Sequence, residues 1–579
     1  MKSSDYIVEF LVSKGIKHLY GYQGTMISHF VDSVYNNKEI TNHTCYNEQG
    51  AGFAAVGQAK ASGKITACYS TSGPGAANLV SAVADAYYDS TPVLFITGQL
   101  NYSEYYDIKG LRQHGFQELD VVSMVSAMTK YAEQVTDVKK LRYHLEKAFH
   151  MVSSGRPGPV VLDIPMDIQH MEIDPDALEG YVADEDFGYE DPKKAAELIA
   201  EAIKESKKPV LVVGGGVINN TPVQGDIVEI AEKLNIPIAT SMVKRDLMPY
   251  DHPLNFGHMG GGYGHRYTNL ILCEKTDLIV SFGCTLCRRQ TGFNTEYFGK
   301  NAKIIRVEID KCELARKLHD DEVDIYADCN EVIAHLKELL PSMDKSFDEW
   351  LGTCTSIKEK LTEFDDECID RQPNKIVEAI SEHIAEDTPV CVDIGQHLMW
   401  ISQSFKFKKG QRIIFSAGHG AMGFAFPASI GAHYADGRPV TLLVGDGSMQ
   451  MNIQELQWVV REQLPITIFV LNNESLGLIR QQQDDIFNSV YSGSSDQGGY
   501  TVPDFCKVAR AYGIEATNID DISEVDKILS NHDFTKPHLF EVKIQTNSMA
   551  FPKTFFGEKM TNQRPYISEE LAKELEEIK

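Results

Sequence analysis

Val444-Gly445-Asp446-Gly447-Ser448 and Leu471-Asn472-Asn473-Glu474-Ser475 place an aspartate and an asparagine 27 residues apart, each just past a short apolar run. The run Thr441–Val444 predicts a strand that ends before Asp446. A helix over Ile453–Arg461 then crosses back, and a strand over Ile466–Leu471 delivers Asn473 to the same edge. A carboxylate, an amide oxygen and a nearby backbone carbonyl are hard oxygen ligands. They suit Mg²⁺, which keeps water and completes its shell with phosphate oxygens. Gly447 lets the backbone approach a phosphate, and the N-terminus of the following helix supports its negative charge. A strand-end aspartate that merely caps a helix is the plainer alternative, and a second ligand type at this spacing disfavours it.

The same alternation of β-branched runs and helix-length stretches fills the chain. Strands are expected at Pro92–Thr97, Pro159–Ile164, Pro209–Val213, Leu278–Phe282, Lys303–Ile309, Pro389–Val392 and Leu539–Ile544 as well. Strands separated by helices predict α/β units with mostly parallel sheets. Acidic stretches at 184–194 and 358–372 lack a clear apolar period and read as linkers. They divide the chain into 1–170, 190–342 and 370–546, followed by a tail, 547–579. Glycine turns sit at strand ends, where open parallel sheets bind ligands: Thr71–Asn78, Gly214–Gly216 and Gly418–Gly423. The last matches G-x-G-x-x-G, but the acidic residue that follows, Asp446, lies in a glycine turn of its own, so a dinucleotide fingerprint is a weak reading.

With 55 Lys+Arg against 82 Asp+Glu the net charge is −27, and no basic cluster large enough for nucleic acid is present. No window approaches ~18 consecutive apolar residues, so no membrane span is expected. Glu9 and Lys14 interrupt the amphipathic N-terminus, which is unlike a secretory leader. The eleven cysteines are scattered and suit a reducing cytoplasm. The CxxC pair Cys284/Cys287 lacks the second pair or the histidines that a zinc site needs.

The GDG…NN motif resembles the diphosphate-and-metal motif of thiamine diphosphate enzymes. The likeness runs from Gly21 to about Ser475 and is similar to the acetolactate synthase (acetohydroxyacid synthase) branch. It is carried by Asn47-Glu48-Gln49-Gly50, Thr71–Gly75, Ser154-Gly155-Arg156-Pro157-Gly158-Pro159, Gly420-Ala421-Met422-Gly423-Phe424 and Met451-Asn452-Ile453-Gln454-Glu455-Leu456. The resemblance implies three α/β domains: pyrimidine-binding, central and diphosphate-binding. It gives Glu48 the place of the catalytic glutamate that hydrogen-bonds the cofactor's pyrimidine and promotes proton removal from its thiazolium carbon. It implies that Gln396, His397, Gly447 and Ser448 hold the diphosphate. The Gly420 carbonyl would receive the aminopyrimidine, and Met422 would wedge the cofactor into its bent form. Asp446, Asn473 and the Ser475 carbonyl would then bind Mg²⁺. Because the first and third domains meet across subunits in this family, a homodimer or homotetramer is implied.

Departures from the family pattern bear on the acceptor. Gln482 stands where acetohydroxyacid synthases carry a tryptophan, and an amide suits a polar acceptor better than a second small keto acid. Thr25 replaces a turn glycine. Phe116, Gln117 and Lys130 are expected near the substrate pocket. A non-redox FAD is expected in the central domain through Arg156, Gly215, Gly283, Arg289, Glu308 and Asp328, although Thr285 and Cys287 replace an Arg and an Asp. The tail 551–568 resembles acetolactate-synthase-like carboligases of surface-polysaccharide pathways, some of which acylate a nucleotide-linked keto sugar. The expected activity is therefore transfer of a two-carbon unit from a 2-keto acid to a keto acceptor. The alternatives are acetolactate synthesis from two pyruvates and simple decarboxylation to an aldehyde. A nicotinamide dehydrogenase rests on G-x-G-x-x-G alone, and a catalytically dead binding protein is disfavoured by Glu48.

Overall fold

The computed structural model describes residues 1–106, 108, 110–183, 187–218 and 222–578. Among them are three six-stranded sheets, all parallel, and a small antiparallel ribbon, Lys553–Thr554 with Gln563–Arg564. The first sheet runs Thr41–Thr44, His18–Gly21, Thr66–Ser70, Val93–Gln99, Val160–Pro165 and Tyr131–Gln134 from edge to edge. The third runs Arg412–Ile414, Pro389–Val392, Val440–Gly445, Ile466–Asn472, His538–Lys543 and Glu515–Ile519. Each begins on its second strand and then follows one spatial order, so the two share a topology. The central sheet differs. Its first strand, Pro209–Val213, lies between Leu278–Phe282 and Ile238–Thr240, giving the doubly wound order in which strands four to six extend from strand one.

In every sheet the order reverses beside the first strand, and the crevice there is where open α/β sheets bind ligands. In the third sheet that point lies between Pro389–Val392 and Val440–Gly445, which pair Val392 with Leu443. Val440–Gly445 pairs in turn with Ile466–Asn472 through Gly445 and Leu471, so the segments after all three strands emerge side by side. The expected strands are present, with ends shifted by a residue or two. The expected Ile453–Arg461 helix is instead a 3₁₀ turn, Ile453–Glu455, and a helix, Leu456–Glu462, preceded by the short helix Asp446–Met451.

Residues 358–372 are not a loose linker. Residues 358–368 belong to the 21-residue helix Asp348–Cys368, which buries Trp350, Cys354, Ile357 and Leu361 against the central core, and the next helix begins at Gln372. That apolar spacing of four, three and four residues is a helical stripe, and it begins upstream of the stretch that reads as acidic. Of the other expected linker, residues 184–186 lie outside the described residues, and a helix begins at Pro192. The first and third domains share one apolar core around Phe53, Phe424 and Trp458. Their helices Glu48–Ser62 and Ala425–Asp436 cross so closely that a Cβ at Gly57 or Gly431 would overlap the facing backbone. No helix among the described residues is long and apolar enough to cross a membrane.

Candidate active site

Asp446 opens its helix directly from the strand end and is buried. Its Oδ1 accepts the Gly447 amide at 2.7 Å and the Tyr500 hydroxyl at 3.2 Å, and Oδ2 accepts the Ser475 amide at 3.2 Å. Burial pushes the carboxyl up to about 6, a penalty on the charged form that a bound cation would offset. Asn473, past the next strand, donates from Nδ2 to Gln396 Oε1 at 3.2 Å. Gln396 starts the helix Gln396–Ser404 after the third strand of the group, and its own amide donates to Gln481 and to the Ser548 carbonyl, both at 3.0 Å. The Ser448 hydroxyl donates to the Ile394 carbonyl at 3.1 Å.

His397 is buried, and its Nε2 has no hydrogen-bond partner among the described residues. Burial drives its pKa down to about 3, so the ring is neutral at pH 7 and keeps one N–H to donate. A buried orphan nitrogen is costly unless a ligand satisfies it. Met422 reaches over the same turn: a Cβ at Gly447 would stand 3.3 Å from Met422 Cε. Gly420 has φ +69° and open space beside it. Asp446, Asn473, Ser475, Gln396, His397, Gly447, Ser448 and Met422 thus form one cluster at the switch point. Its hard oxygen donors fit Mg²⁺, and its amides and neutral imidazole fit a diphosphate.

Glu48 opens the helix Glu48–Ser62, with Asn47 capping through the Gln49 amide. Its Oε2 accepts from Asn78 Nδ2 at 2.9 Å, and a Cβ at Gly75 would come within 3.0 Å of Oε1. Gln117, with φ +64°, backs the same turn: its carbonyl lies 2.8 Å from where a Gly73 Cβ would be. Thr25 follows Gly24, which abuts Thr71, and is exposed, as is Phe116. Within the chain Glu48 meets the third domain through its neighbours. Glu455 accepts the Tyr46 amide at 3.1 Å, and Gln49 accepts from Asn452 at 3.4 Å.

Lys130 does not join this group. Its amide donates to the Pro159 carbonyl at the start of Tyr131–Gln134, so it sits at the amino end of the strand, on the edge of the sheet opposite Glu48. Its ammonium is spent on the Ser154 carbonyl, and burial lowers it to about 8. Gln482 is exposed on the helix Gly477–Ile486, while its neighbour Gln481 turns inward to Gln396 and Ala550.

At the central switch point Gly215 and Arg289 are exposed, and Glu308 is buried at a strand end. Those three fit a flavin dinucleotide. Gly283 packs on the Gly216 backbone, and Asp328 caps the helix Cys329–Leu339. Arg156 does not fit, because Asp310 and Glu313 hold its guanidinium at 2.9 and 3.1 Å. Gln290 Oε1 accepts from Thr285 Oγ1 and the Cys287 amide, at 3.1 and 3.2 Å.

Four contributors carried no sequence signal as site residues. Tyr500, Gln481 and Asp393, which accepts the Gly423 and Ala425 amides at 3.0 and 2.8 Å, hold the cluster in place. Glu455, fully buried and pushed up to about 7 by burial, fixes the approach to Glu48.

Comparison with known proteins gives one answer along the chain. Residues 1–124 match the thiamine pyrophosphate enzyme N-terminal TPP binding domain, 196–336 the central domain and 393–542 the C-terminal TPP binding domain. A probable acetolactate synthase large subunit of Methanocaldococcus jannaschii is 34% identical over 97% of this chain and 95% of its own length. The acetolactate synthase isozyme 1 large subunit of Escherichia coli is 34% identical over 95% of each chain. The acetolactate synthase large subunit of Lactococcus lactis is 32% identical over 95% of this chain and 93% of its own.

Proposed function

Since this chain belongs to the thiamine pyrophosphate enzymes, as an acetolactate-synthase-like member, we propose that it is a carboligase that decarboxylates a 2-keto acid, pyruvate first, and joins the two-carbon unit to a keto acceptor. The observation that carries the reading is the cluster at the third switch point, where the orphan His397 Nε2 stands beside Asp446, Asn473 and Gln396.

Thiamine diphosphate, when bound, supplies the carbon centre that stabilises the carbanion left by decarboxylation. The chain's own residues do the rest. Asp446, the Asn473 amide oxygen and the Ser475 carbonyl would hold Mg²⁺. Gln396, the neutral His397, Ser448 and the Gly447 backbone would bind the diphosphate. The Gly420 carbonyl and Met422 would receive the pyrimidine side of the cofactor. Glu48 would supply general acid–base help beside that ring. From the family resemblance, the proposed unit is a homodimer or homotetramer in which the first domain of one copy completes the diphosphate site of another. The cytoplasm is the proposed compartment, on cysteine usage. FAD, in a structural role, is proposed at the central switch point around Gly215, Arg289 and Glu308.

The proposed acceptor is a hydroxylated keto compound such as a nucleotide-linked 4-keto-deoxysugar. This rests on Gln482, exposed on its helix, standing where acetohydroxyacid synthases carry tryptophan; an acceptor with polar groups to pair would gain ~1–3 kcal/mol per partner over one that leaves them unpaired. Incubating the protein with pyruvate alone and with a keto-sugar panel, followed by mass spectrometry and kcat/KM, tests the proposal. Slow acetolactate formation and faster sugar acylation are expected, and Gln482→Trp should shift the ratio toward small keto acids. Efficient acetolactate synthesis without any sugar product refutes the sugar acceptor, and free acetaldehyde as sole product refutes the ligase.

A further inference from the structure

The central domain, the helix Asp348–Cys368 and the third domain enclose a cavity of about 520 Å³ that none of the residues above explains. Small-molecule sites run from ~300 to 1,000 Å³, so the space suits an organic ligand rather than a lone ion. Six lysines and arginines line it against four carboxylates, a local positive excess in a chain of net charge −27.

Ion pairs take up three of those cations and leave Arg245, Lys358 and Lys375, of which Lys375 is exposed to solvent. Arg266 is bridged to Asp365 at 2.9 Å, Arg371 reaches Asp366 and Glu378, and Lys406 is bridged to Glu382 at 2.6 Å. Arg245 and Lys358 form no ion pair with a carboxylate among the described residues. Arg245 is 6% exposed and donates from Nε to the Ser402 carbonyl at 2.9 Å, and its two Nη groups have no acceptor there. Lys358 donates to the Asn255 carbonyl at 2.9 Å. Burial and the Arg245 charge both lower the Lys358 pKa, which places the two cations within each other's field. A carbonyl satisfies a hydrogen bond but does not neutralise a buried charge. The remaining wall is aromatic and apolar, from Tyr250, Tyr267, Phe551 and Pro552, with Lys358 Nζ 5.8 Å from the Tyr267 ring centre.

We propose that this interdomain cavity binds a phosphate ester carrying a planar ring, such as a mononucleotide, with its phosphate between Arg245 and Lys358 and its ring against Tyr250 and Tyr267. A phosphate ester brings ≈ −1.5 to −2 charge at pH 7 and balances both cations, where a carboxylate balances one. The site is separate from the diphosphate cluster. Gln403 and Ser404, which line it, lie at the far end of the helix that Gln396 and His397 begin, roughly 10–12 Å along its axis.

Thermal unfolding and equilibrium dialysis of the full chain, with thiamine diphosphate and Mg²⁺ present, test this with AMP, adenosine and inorganic phosphate at matched ionic strength. AMP should raise Tm saturably, inorganic phosphate less so, and adenosine not at all. Arg245→Gln and Lys358→Met should each weaken AMP binding by roughly tenfold or more while leaving thiamine diphosphate affinity unchanged. Lys358→Met should also raise the Tm of the AMP-free protein, because it removes a like-charge neighbour. It carries the test alone if Arg245→Gln fails to fold. No AMP signal at millimolar concentration, or AMP binding that Lys358→Met retains in full, overturns the site. Equal affinity for AMP and inorganic phosphate overturns the ring assignment.

Discussion

Replacing Gly477 with alanine tests the cluster through a single added carbon. Gly477 opens the helix Gly477–Ile486 at an ordinary backbone conformation, so alanine there costs no strain and improves helix propensity. Its Cβ, however, would overlap Gln396 Oε1 and stand 2.7 Å from Asn473 Nδ2. Gln396 is 2% exposed and can move aside only by giving up its bonds to Gln481 and the Ser548 carbonyl, each at 3.0 Å. Two net hydrogen bonds at about 0.5–1.5 kcal/mol each come to roughly 1–3 kcal/mol. A loss of that size lowers Tm by roughly 2–4 °C per kcal/mol in a domain of about 150–250 residues. Displacing both amides should weaken thiamine diphosphate and Mg²⁺ binding by roughly 10–100-fold, at ~1.4 kcal/mol per tenfold. Gly352→Ala is the control. It also lies in a helix, with nothing within 4 Å of its added Cβ, and should hold or raise Tm. Differential scanning calorimetry and cofactor titration by tryptophan fluorescence read both variants. Unchanged Tm and unchanged cofactor affinity in Gly477→Ala would refute the packing of Gln396, Asn473 and Gly477 as a cofactor cradle.

Other outcomes follow from the same geometry. Glu48→Gln keeps the bond to Asn78 in reach but removes the ionisable proton, so carboligation should fall by roughly 10²–10⁴-fold while cofactor still binds; turnover near that of wild type sinks the role. Asp446→Ala removes the charged oxygen ligand, and equilibrium dialysis should find Mg²⁺-dependent thiamine diphosphate retention lost. Purified protein should show flavin absorbance that pyruvate does not bleach; a colourless protein that is active without added FAD removes the flavin. Lys130→Met should leave kcat/KM for pyruvate and acceptor within about twofold of wild type, because it stands on the far edge of its sheet; a larger loss would return it to the pocket.

Asp446 and Asn473 were legible because a parallel sheet converts sequence into position. Two residues past the ends of adjacent strands must lie together, and the strands announce themselves as apolar runs. Tyr500 and Gln481 gave no such sign. Each reaches the cluster from a segment whose path depends on packing, and an isolated tyrosine or glutamine has no pattern to betray it. Lys130 shows the opposite error. The resemblance places it near the substrate pocket, yet it stands at the amino end of Tyr131–Gln134, away from Glu48 within the first domain. The helix Asp348–Cys368 was misread because its polar face dominates 358–372 while its buried stripe starts at Trp350.

Glu455 marks where a one-dimensional reading stops and tertiary physics takes over. It lies in the run Met451–Leu456 that helped to place the chain in its family, with no role attached to it. In the fold it is fully buried, at the seam between the domains, and accepts the Tyr46 amide just ahead of Glu48. A carboxyl pushed up to about 7 by burial stays in place because few other groups could satisfy that backbone without filling the space beside Gly50. The backbone two residues ahead of Glu48 is therefore held by a second carboxyl from the third domain, Glu455, 407 residues beyond Glu48 along the chain. The seam of the first and third domains within the chain thus sets where Glu48 lies, and a change in their packing at Gly57 or Gly431 should reach Glu48 through that backbone.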